Sequence, residues 1–169
     1  MENRILVAYA SKRGATKEIA EKIGQVLRQS GLQADVMPVD RAGNLTPYPA
    51  VVLGSAVYYG HWRKEAAAFL KANEKLLAGR MVWLFSSGPT GQGAPDELAK
   101  GTRIPQALQT LIDSIRPRDI ALFHGVIDEK KLSFFEKFVA KKVKAPTGDF
   151  RDWDAVTSWA MAIAGALKK

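Results

Sequence analysis

Three short segments rich in glycine and hydroxyl-bearing residues could bind a small ligand through hydrogen bonds. The first, residues 11–16 (SKRGAT), lies between a strand-like apolar run and a helix-like stretch. Free backbone N–H groups at a helix N-terminus, together with the hydroxyls of Ser11 and Thr16, suit a phosphate group. Lys12 and Arg13 add positive charge to this loop. An ordinary strand-to-helix turn capped by Thr16 is the alternative interpretation.

The second segment, residues 54–62 (GSAVYYGHW), places aromatic side chains between glycines directly after another apolar run. Glycine lets the backbone approach a ligand closely, while Tyr58, Tyr59 and Trp62 offer flat surfaces for stacking. These side chains could instead pack back on a neighbouring helix. The segment therefore predicts a binding loop for a flat ring, with packing as the alternative.

The third segment, residues 86–93 (SSGPTGQG), follows the apolar run at 81–85 and is rich in backbone donors. It could hydrogen-bond the edge of a planar heterocycle, act as a mobile lid, or simply connect two elements. A phosphate site and a flat-ring site around one crevice would together fit a mononucleotide-like ligand.

Strand-like and helix-like segments alternate along the chain. Strands are predicted at 5–10, 33–39, 51–55, 81–85 and 119–123, and helices at about 16–30, 64–78, 104–115, 129–144 and 152–167. Such alternation favours an α/β fold in which a parallel sheet is covered by helices on both faces, here as a single domain over residues 1–169. Ligands of such sheets bind beyond the carboxyl ends of the strands, which is where the three segments lie. The same rule selects the segment after Phe123.

Composition narrows the classes of function. The 169 residues include no cysteine, and His61 and His124 are the only histidines. Disulfides, thiolate metal sites and cysteine nucleophiles are excluded, and a histidine-based zinc site is not expected. Redox chemistry would require a bound organic cofactor. The formal net charge of +8 favours anionic partners, with general solubility as the alternative.

Residues 129–144 predict an amphipathic helix with an apolar stripe of Leu132, Phe135, Val139 and Val143 and many lysines. Such a helix can lie on an anionic membrane surface. The helix can also cover the sheet with its lysines in solvent. We favour this second interpretation slightly, because the fold needs a helix there. Since no membrane span or signal-peptide pattern is present, we expect a cytoplasmic protein, with peripheral contact to the cytoplasmic face of the membrane as an option.

Residues 7–20 (VAYASKRGATKEIA) resemble the FMN phosphate loop of the flavodoxin-like family. The resemblance implies a doubly wound five-stranded parallel sheet of order 2-1-3-4-5, with helices on both faces and FMN at the switch point, as in the known flavodoxin fold. Within that family, residues 54–62 and the ending with Asp152 and Trp153 are most similar to the menaquinone-dependent protoporphyrinogen oxidases. The resemblance covers nearly the whole chain.

The resemblance implies that all three segments bind FMN. The loop at 11–16 would hold the phosphate, Tyr59 would stack on the isoalloxazine ring, and residues 87–91 would flank the other ring edge. No catalytic side chain and no metal are expected, because the flavin carries the redox step. The implied cofactor-binding residues are Ser11, Lys12, Arg13, Gly14, Ala15, Thr16, Ser55, Ala56, Val57, Tyr58, Tyr59, Gly60, Ser86, Ser87, Gly88, Pro89, Thr90 and Gly91.

The resemblance further implies an FMN-dependent enzyme that oxidises protoporphyrinogen IX, or another small anionic substrate, with a quinone such as menaquinone as acceptor. One departure from the subgroup is the region 88–100, which is glycine-rich and acidic at Asp96 and Glu97 where the subgroup is basic. The alternative is a flavodoxin-type electron carrier with a protein partner, although such carriers are typically acidic. No nucleic-acid partner is expected, since no signature of one is present.

Overall fold

Parallel strand pairing dominates the fold, which the computed structural model describes for residues 4–144 and 146–169. Short 3-10 turns occupy Val39–Arg41, Gln106–Leu108 and Glu129–Lys131. The strands and helices follow one another as β1 (Arg4–Ala10), α1 (Ala15–Gln29), β2 (Gln33–Pro38), β3 (Ala50–Tyr58), β4 (His61–Trp62), α2 (Lys64–Ala72), α3 (Glu74–Ala78), β5 (Met81–Ser87), α4 (Pro95–Leu98), α5 (Gln109–Ile115), β6 (Asp119–Phe123), β7 (Val126–Ile127), α6 (Phe134–Lys142), β8 (Gly148–Asp149) and α7 (Trp153–Leu167).

The main sheet has the strand order β2-β1-β3-β5-β6, and every neighbouring pair in it is parallel. With the short β4 set aside, this is the predicted order 2-1-3-4-5, so the predicted doubly wound sheet is confirmed. The strand order reverses between β1 and β3, which puts the switch point at their carboxyl ends. β4 pairs antiparallel with the end of β3 through Val57–Trp62 and Tyr58–His61.

Side chains of the central strands are buried on both faces of the sheet. Ile5 and Val7 of β1 pack with α1 and α7, whereas Leu6 and Ala8 pack with the layer that contains α2, α3 and α5. This two-sided burial explains why the predicted strands are continuous apolar runs without alternation.

Two of the predicted helices are interrupted. The helix predicted at 64–78 breaks at Asn73, whose side-chain amide donates to the Phe69 carbonyl at 2.9 Å and so competes with the helical backbone bonds. In the predicted helix at 104–115, Pro105 precedes a 3-10 turn, and α5 begins only at Gln109. Neither break alters the strand order.

Helix α6 does not cover the sheet. None of its residues is buried, and none belongs to either hydrophobic core. The interpretation that residues 129–144 cover the sheet is therefore wrong, because α1 and α7 fill that layer. The helix is also shorter than predicted, since Ser133 starts it with a capping box. No helix within residues 4–144 and 146–169 is long and apolar enough to cross a membrane.

The close approach of β3 to β5 gives a test of the core. A Cβ at Gly54 would lie 1.9 Å from Cζ of Phe85, which is fully buried. We expect Gly54→Ala to lower the free energy of unfolding by about 1–3 kcal/mol, because a packed core cannot absorb the added methyl group. Urea denaturation measures this difference.

Gly165→Ala on α7 is the matched control, since nothing lies within 4 Å of the Cβ it adds. It should leave stability unchanged or raise it by up to about 1 kcal/mol. Adding Phe85→Leu to Gly54→Ala should recover part of the loss. Equal stability of Gly54→Ala and the wild type would contradict the observed packing.

Candidate functional site

The three predicted segments meet at the carboxyl edge of the sheet, beside the switch point. There they line a cavity of about 210 Å³ that α6 covers from the solvent side. The predicted residues on its wall are Ser11, Ala15, Thr16, Ala56, Val57, Tyr58, Tyr59, Ser87 and Gly88.

The remaining predicted residues lie off this wall. Ser55 and Ser86 are fully buried. Ser55 Oγ accepts the Arg63 amide at 3.1 Å, and Ser86 Oγ accepts the Trp62 indole N–H at 2.8 Å. These two serines therefore anchor the β3–β4 hairpin to the sheet. Also off the wall are Lys12, Arg13, Gly14, Gly60, Pro89, Thr90 and Gly91.

The loop between β1 and α1 leaves the N-terminus of α1 without a side-chain cap. Gly14 occupies the cap position with φ 92°, a conformation that favours glycine, and its amide donates to Ser11 Oγ at 2.9 Å. The predicted cap by Thr16 is wrong, because Thr16 lies inside the helix with its hydroxyl 2.8 Å from Ser87 Oγ. The uncapped amides of the first turn and the helix dipole can together bind an anion.

Glu136 of α6 pairs with both cations of this loop. Its carboxylate is hydrogen-bonded to the Arg13 guanidinium and lies 3.4 Å from Lys12 Nζ. Arg13 also donates to the Lys131 carbonyl. Arg13 Nε is buried and lacks a hydrogen-bond partner among the described residues. The positive charge of the loop is thus matched by a carboxylate from α6, in a place that equally suits another anion.

The hydrogen bond from Arg13 lowers the pKa of Glu136 from 4.5 to about 2, and bonds from Ser133 act in the same direction against the effect of burial. Ser133 and Glu136 also cap α6 reciprocally, with N–O distances of 3.2 and 3.1 Å. The carboxylate is therefore charged at neutral pH. It joins the first turn of α6 to the loop that precedes α1.

The aromatic segment is a hairpin, which corrects the predicted loop. Strand β3 ends at Tyr58. The turn is formed by Tyr59 and Gly60, whose φ angles are 51° and 77°. Trp62 packs into the core and is 5% exposed. The packing alternative thus holds for Trp62 and is wrong for Tyr59, which is 69% exposed, while Tyr58 is half-buried. Burial raises the pKa of the Tyr58 phenol above its ordinary value, so this hydroxyl stays protonated and can donate.

The glycine-rich segment is tied to the chain that follows β6. His124 Nδ1 lies 3.0 Å from the Pro89 carbonyl oxygen, and His124 Nε2 lies 2.9 Å from that of Gly93. The Gly125 amide also donates to Pro89 at 2.9 Å. A Cβ at Gly125 would lie 2.9 Å from the carbonyl oxygen of Gly88, so this approach requires glycine.

Sequence reasoning missed one side of the cavity. The rule for sheet edges selected the segment after Phe123, but Gly125, Val126 and Ile127 have no charged or aromatic side chain that would indicate a role. The orientation of α6 was also hidden, because its apolar residues lie on both sides of the helix. The cavity residues missed in this way are Gly125, Val126, Ile127, Leu132, Glu136, Val139, Ala140 and Val143.

Tyr58 also borders two larger cavities. One, of about 610 Å³, lies between the start of α1 and residues 126–132 and 147–151. The other is a groove of about 760 Å³ between the β3–β4 hairpin and α6. Aromatic, basic and acidic side chains line this hairpin groove, including Tyr59, Trp62, Phe135, Lys12, Arg63, Lys64, Glu65 and Glu136.

Comparison with known proteins agrees with this architecture. The flavodoxin domain family matches residues 6–154, so the chain belongs to that family and is a flavodoxin-like flavoprotein. It is 24% identical over 177 residues to the protoporphyrinogen IX dehydrogenase [quinone] of Escherichia coli (strain K12), covering 98% of this chain and 97% of that protein. A protein of the same name from Leishmania major is 24% identical over 174 residues, covering 95% of this chain and 74% of that protein.

Solved structures show the same fold. A flavodoxin from the domain Archaea superposes with a TM-score of 0.63 at 16% identity, covering 98% of this chain and 99% of its own. Oxidised Flavodoxin 2 from Bacillus cereus superposes with a TM-score of 0.62 at 23% identity, with the same coverage.

The ion pair between Arg13 and Glu136 predicts a pH dependence. Because the folded-state pKa of Glu136 is lowered, its stabilisation is complete above the ordinary value of 4.5 and is lost as the pH falls towards 2. We expect the wild type to be more stable than Glu136→Gln at neutral pH, with the difference vanishing over that window. Urea unfolding at a series of pH values measures it.

The matched control is Glu129→Gln, which removes an exposed carboxylate outside this ion pair. It should not reproduce the loss of stability seen with Glu136→Gln at neutral pH. A stability difference between wild type and Glu136→Gln that persists unchanged down to the lowest pH would rule out the ion pair as its source.

Proposed function

We propose that the chain is an FMN-dependent oxidoreductase that oxidises protoporphyrinogen IX and uses a quinone, such as menaquinone, as acceptor. The observation that carries the proposal is its similarity, over 98% of the chain, to a relative named protoporphyrinogen IX dehydrogenase [quinone]. The cavities at the switch point support it, because they offer an anion site beside aromatic surfaces.

In this proposal the first turn of α1 holds the FMN phosphate. The uncapped amides, the Thr16 hydroxyl and the cations Lys12 and Arg13 are the groups of this chain that suit a phosphate. The end of the β3–β4 hairpin would flank the flat ring on one side, and Ser87 with Gly88 would flank it on the other. The rest of the predicted cofactor-binding set stays a prediction.

When bound, FMN would supply a centre that accepts and donates electron pairs. The chain's own residues would bind the cofactor, orient it and exclude water. Leu132, Val139 and Val143 bring apolar side chains over the cavity, and the protonated Tyr58 hydroxyl can donate a hydrogen bond. In each step the porphyrinogen loses two electrons and two protons, and the quinone gains two of each to become a quinol.

The hairpin groove suits a large anionic substrate. Tyr59 and Phe135 offer flat apolar surface, and Lys64 is an exposed cation at the groove wall. A volume of about 760 Å³ lies within the range of roughly 300–1,000 Å³ that is usual for ligand sites. Lys12 is paired with Glu136 and Arg63 with Glu65, so a propionate group of a porphyrinogen would be attracted chiefly by Lys64.

A flavodoxin-type electron carrier is the second candidate, favoured by the whole-chain superposition on flavodoxins. The net charge of the chain argues against this candidate. A protein of net charge +8 would be repelled by the basic reductases on which acidic carriers dock.

Removing the Thr16 hydroxyl tests the phosphate site. We expect Thr16→Ala to weaken FMN binding by about 1.5–3 kcal/mol, roughly 10–150-fold, because a hydrogen bond to a charged group is lost. Riboflavin, which lacks the phosphate, should bind both proteins equally. Quenching of flavin fluorescence measures both affinities.

Ser87→Ala is the matched control, because it removes the other end of the Thr16–Ser87 hydrogen bond and leaves the Thr16 hydroxyl in place. It should change the ratio of FMN to riboflavin affinity much less than Thr16→Ala does. An equal loss of both ligands in Thr16→Ala would argue against a phosphate at this position.

Turnover tests the proposed reaction. We expect anaerobic mixtures of FMN-loaded protein, protoporphyrinogen and a menaquinone analogue to form fluorescent porphyrin in a saturable, quinone-dependent way. Lys64→Glu should raise KM for the porphyrinogen about tenfold by charge repulsion in the groove. Lys71→Glu, two turns along the same helix and outside the groove, should not.

Two outcomes of the turnover experiment would contradict parts of the proposal. A reducible bound flavin without porphyrin formation would exclude the oxidase and leave the electron carrier. Normal turnover with an unchanged KM in Lys64→Glu would move the substrate away from the hairpin groove.

A further inference from the structure

Helix α6 presents two different faces. Glu136 and Val139 line the cavity described above. Phe134, Phe135 and Phe138 lie on the other side, where they are 90%, 68% and 60% exposed. Spacings of three and four residues bring these rings together into one patch. Phe135, four residues before Val139, lies at the border of this patch, where it also lines the hairpin groove.

Lysines flank this aromatic patch. Lys137, Lys141 and Lys142 are all exposed on α6. Glu136 is the single acidic residue of the helix, and it is turned inward to Arg13. The surface formed by the three phenylalanines and the three lysines, called the Phe–Lys face below, therefore has no acidic residue of α6 within it.

The helix holds this face in a fixed orientation. Its N-terminus has a complete capping box, and Glu136 ties its first turn to the loop before α1. Glu136 and Val139 line the cavity at the edge of the sheet, whereas Phe134 and Phe138 are 90% and 60% exposed and point away from it. An exposed aromatic patch of this kind marks a binding surface.

We propose that the Phe–Lys face docks on the surface of an anionic lipid bilayer. Phenylalanine rings at one side of a helix insert at the boundary between headgroups and acyl chains, while lysines extend their ammonium groups to the lipid phosphates. The pattern matches this surface in both respects, because it is apolar at its centre and cationic at its edges.

Charge selects this occupant over a second copy of the chain. Two Phe–Lys faces packed together would bring six lysines into one interface, and α6 supplies no outward carboxylate to compensate them. Such like-charge contacts oppose association. An anionic bilayer offers compensating charge over the whole face.

Cosedimentation with vesicles tests the proposal. The wild-type protein should sediment with phosphatidylcholine vesicles that contain phosphatidylglycerol and stay in solution with phosphatidylcholine alone. Lys137→Glu/Lys141→Glu/Lys142→Glu should weaken binding on the order of a hundredfold. Phe134→Gln/Phe138→Gln should weaken it at least about tenfold. Circular dichroism checks that each variant is folded.

Two controls separate this face from general properties of the protein. Lys71→Glu/Lys75→Glu/Lys168→Glu has the same net charge as the lysine variant but changes exposed lysines elsewhere. Met161→Gln on α7 removes an apolar side chain that is 60% exposed, as Phe138 is. Both should bind vesicles like the wild type.

Three results would overturn the proposal. The first is wild-type protein that stays in solution with anionic vesicles, including the case in which it binds an acidic protein instead. The second is equal loss of binding in both lysine variants, which would mean that net charge alone acts. The third is unchanged binding of the phenylalanine variant.

Discussion

A parallel strand that is buried on both faces leaves room for polar chemistry only at its ends. β1, β3 and β5 are of this kind, and their apolar side chains alternate between two separate cores. The hydrogen-bonding groups of the three predicted segments therefore lie where these strands end, at the carboxyl edge of the sheet. The hydroxyl of Thr16, the hairpin after β3 and the glycines after β5 converge there because the buried strands end there.

A single carboxylate connects this edge to α6, a helix with no buried residue. Glu136 pairs with Arg13 and Lys12, the same cations that a phosphate at the start of α1 would attract. Anion binding at the loop and the attachment of α6 thus both depend on the positive charges of Lys12 and Arg13. The inner side of α6 closes the cavity and the outer side faces solvent, so this ion pair influences both.

The strand order and the ligand-binding edge could be predicted because apolar runs and glycine-rich turns are local features of the sequence. Ser55 and Ser86 show the limit of that reasoning. Both occur in segments that favour binding, yet each bonds to the hairpin inside the fold, through Arg63 and Trp62. The partner of a hydroxyl is set by tertiary contacts. The sequence also did not predict that one side of α6 lines the cavity while the other faces solvent. The reason is related, since periodicity identifies an apolar face without showing what covers it.

The imidazole of His124 bridges two carbonyl oxygens, those of Pro89 and Gly93. Both carbonyl groups belong to the glycine-rich segment, so one side chain that follows β6 holds this segment at two points. Loss of the imidazole ring would release both points together.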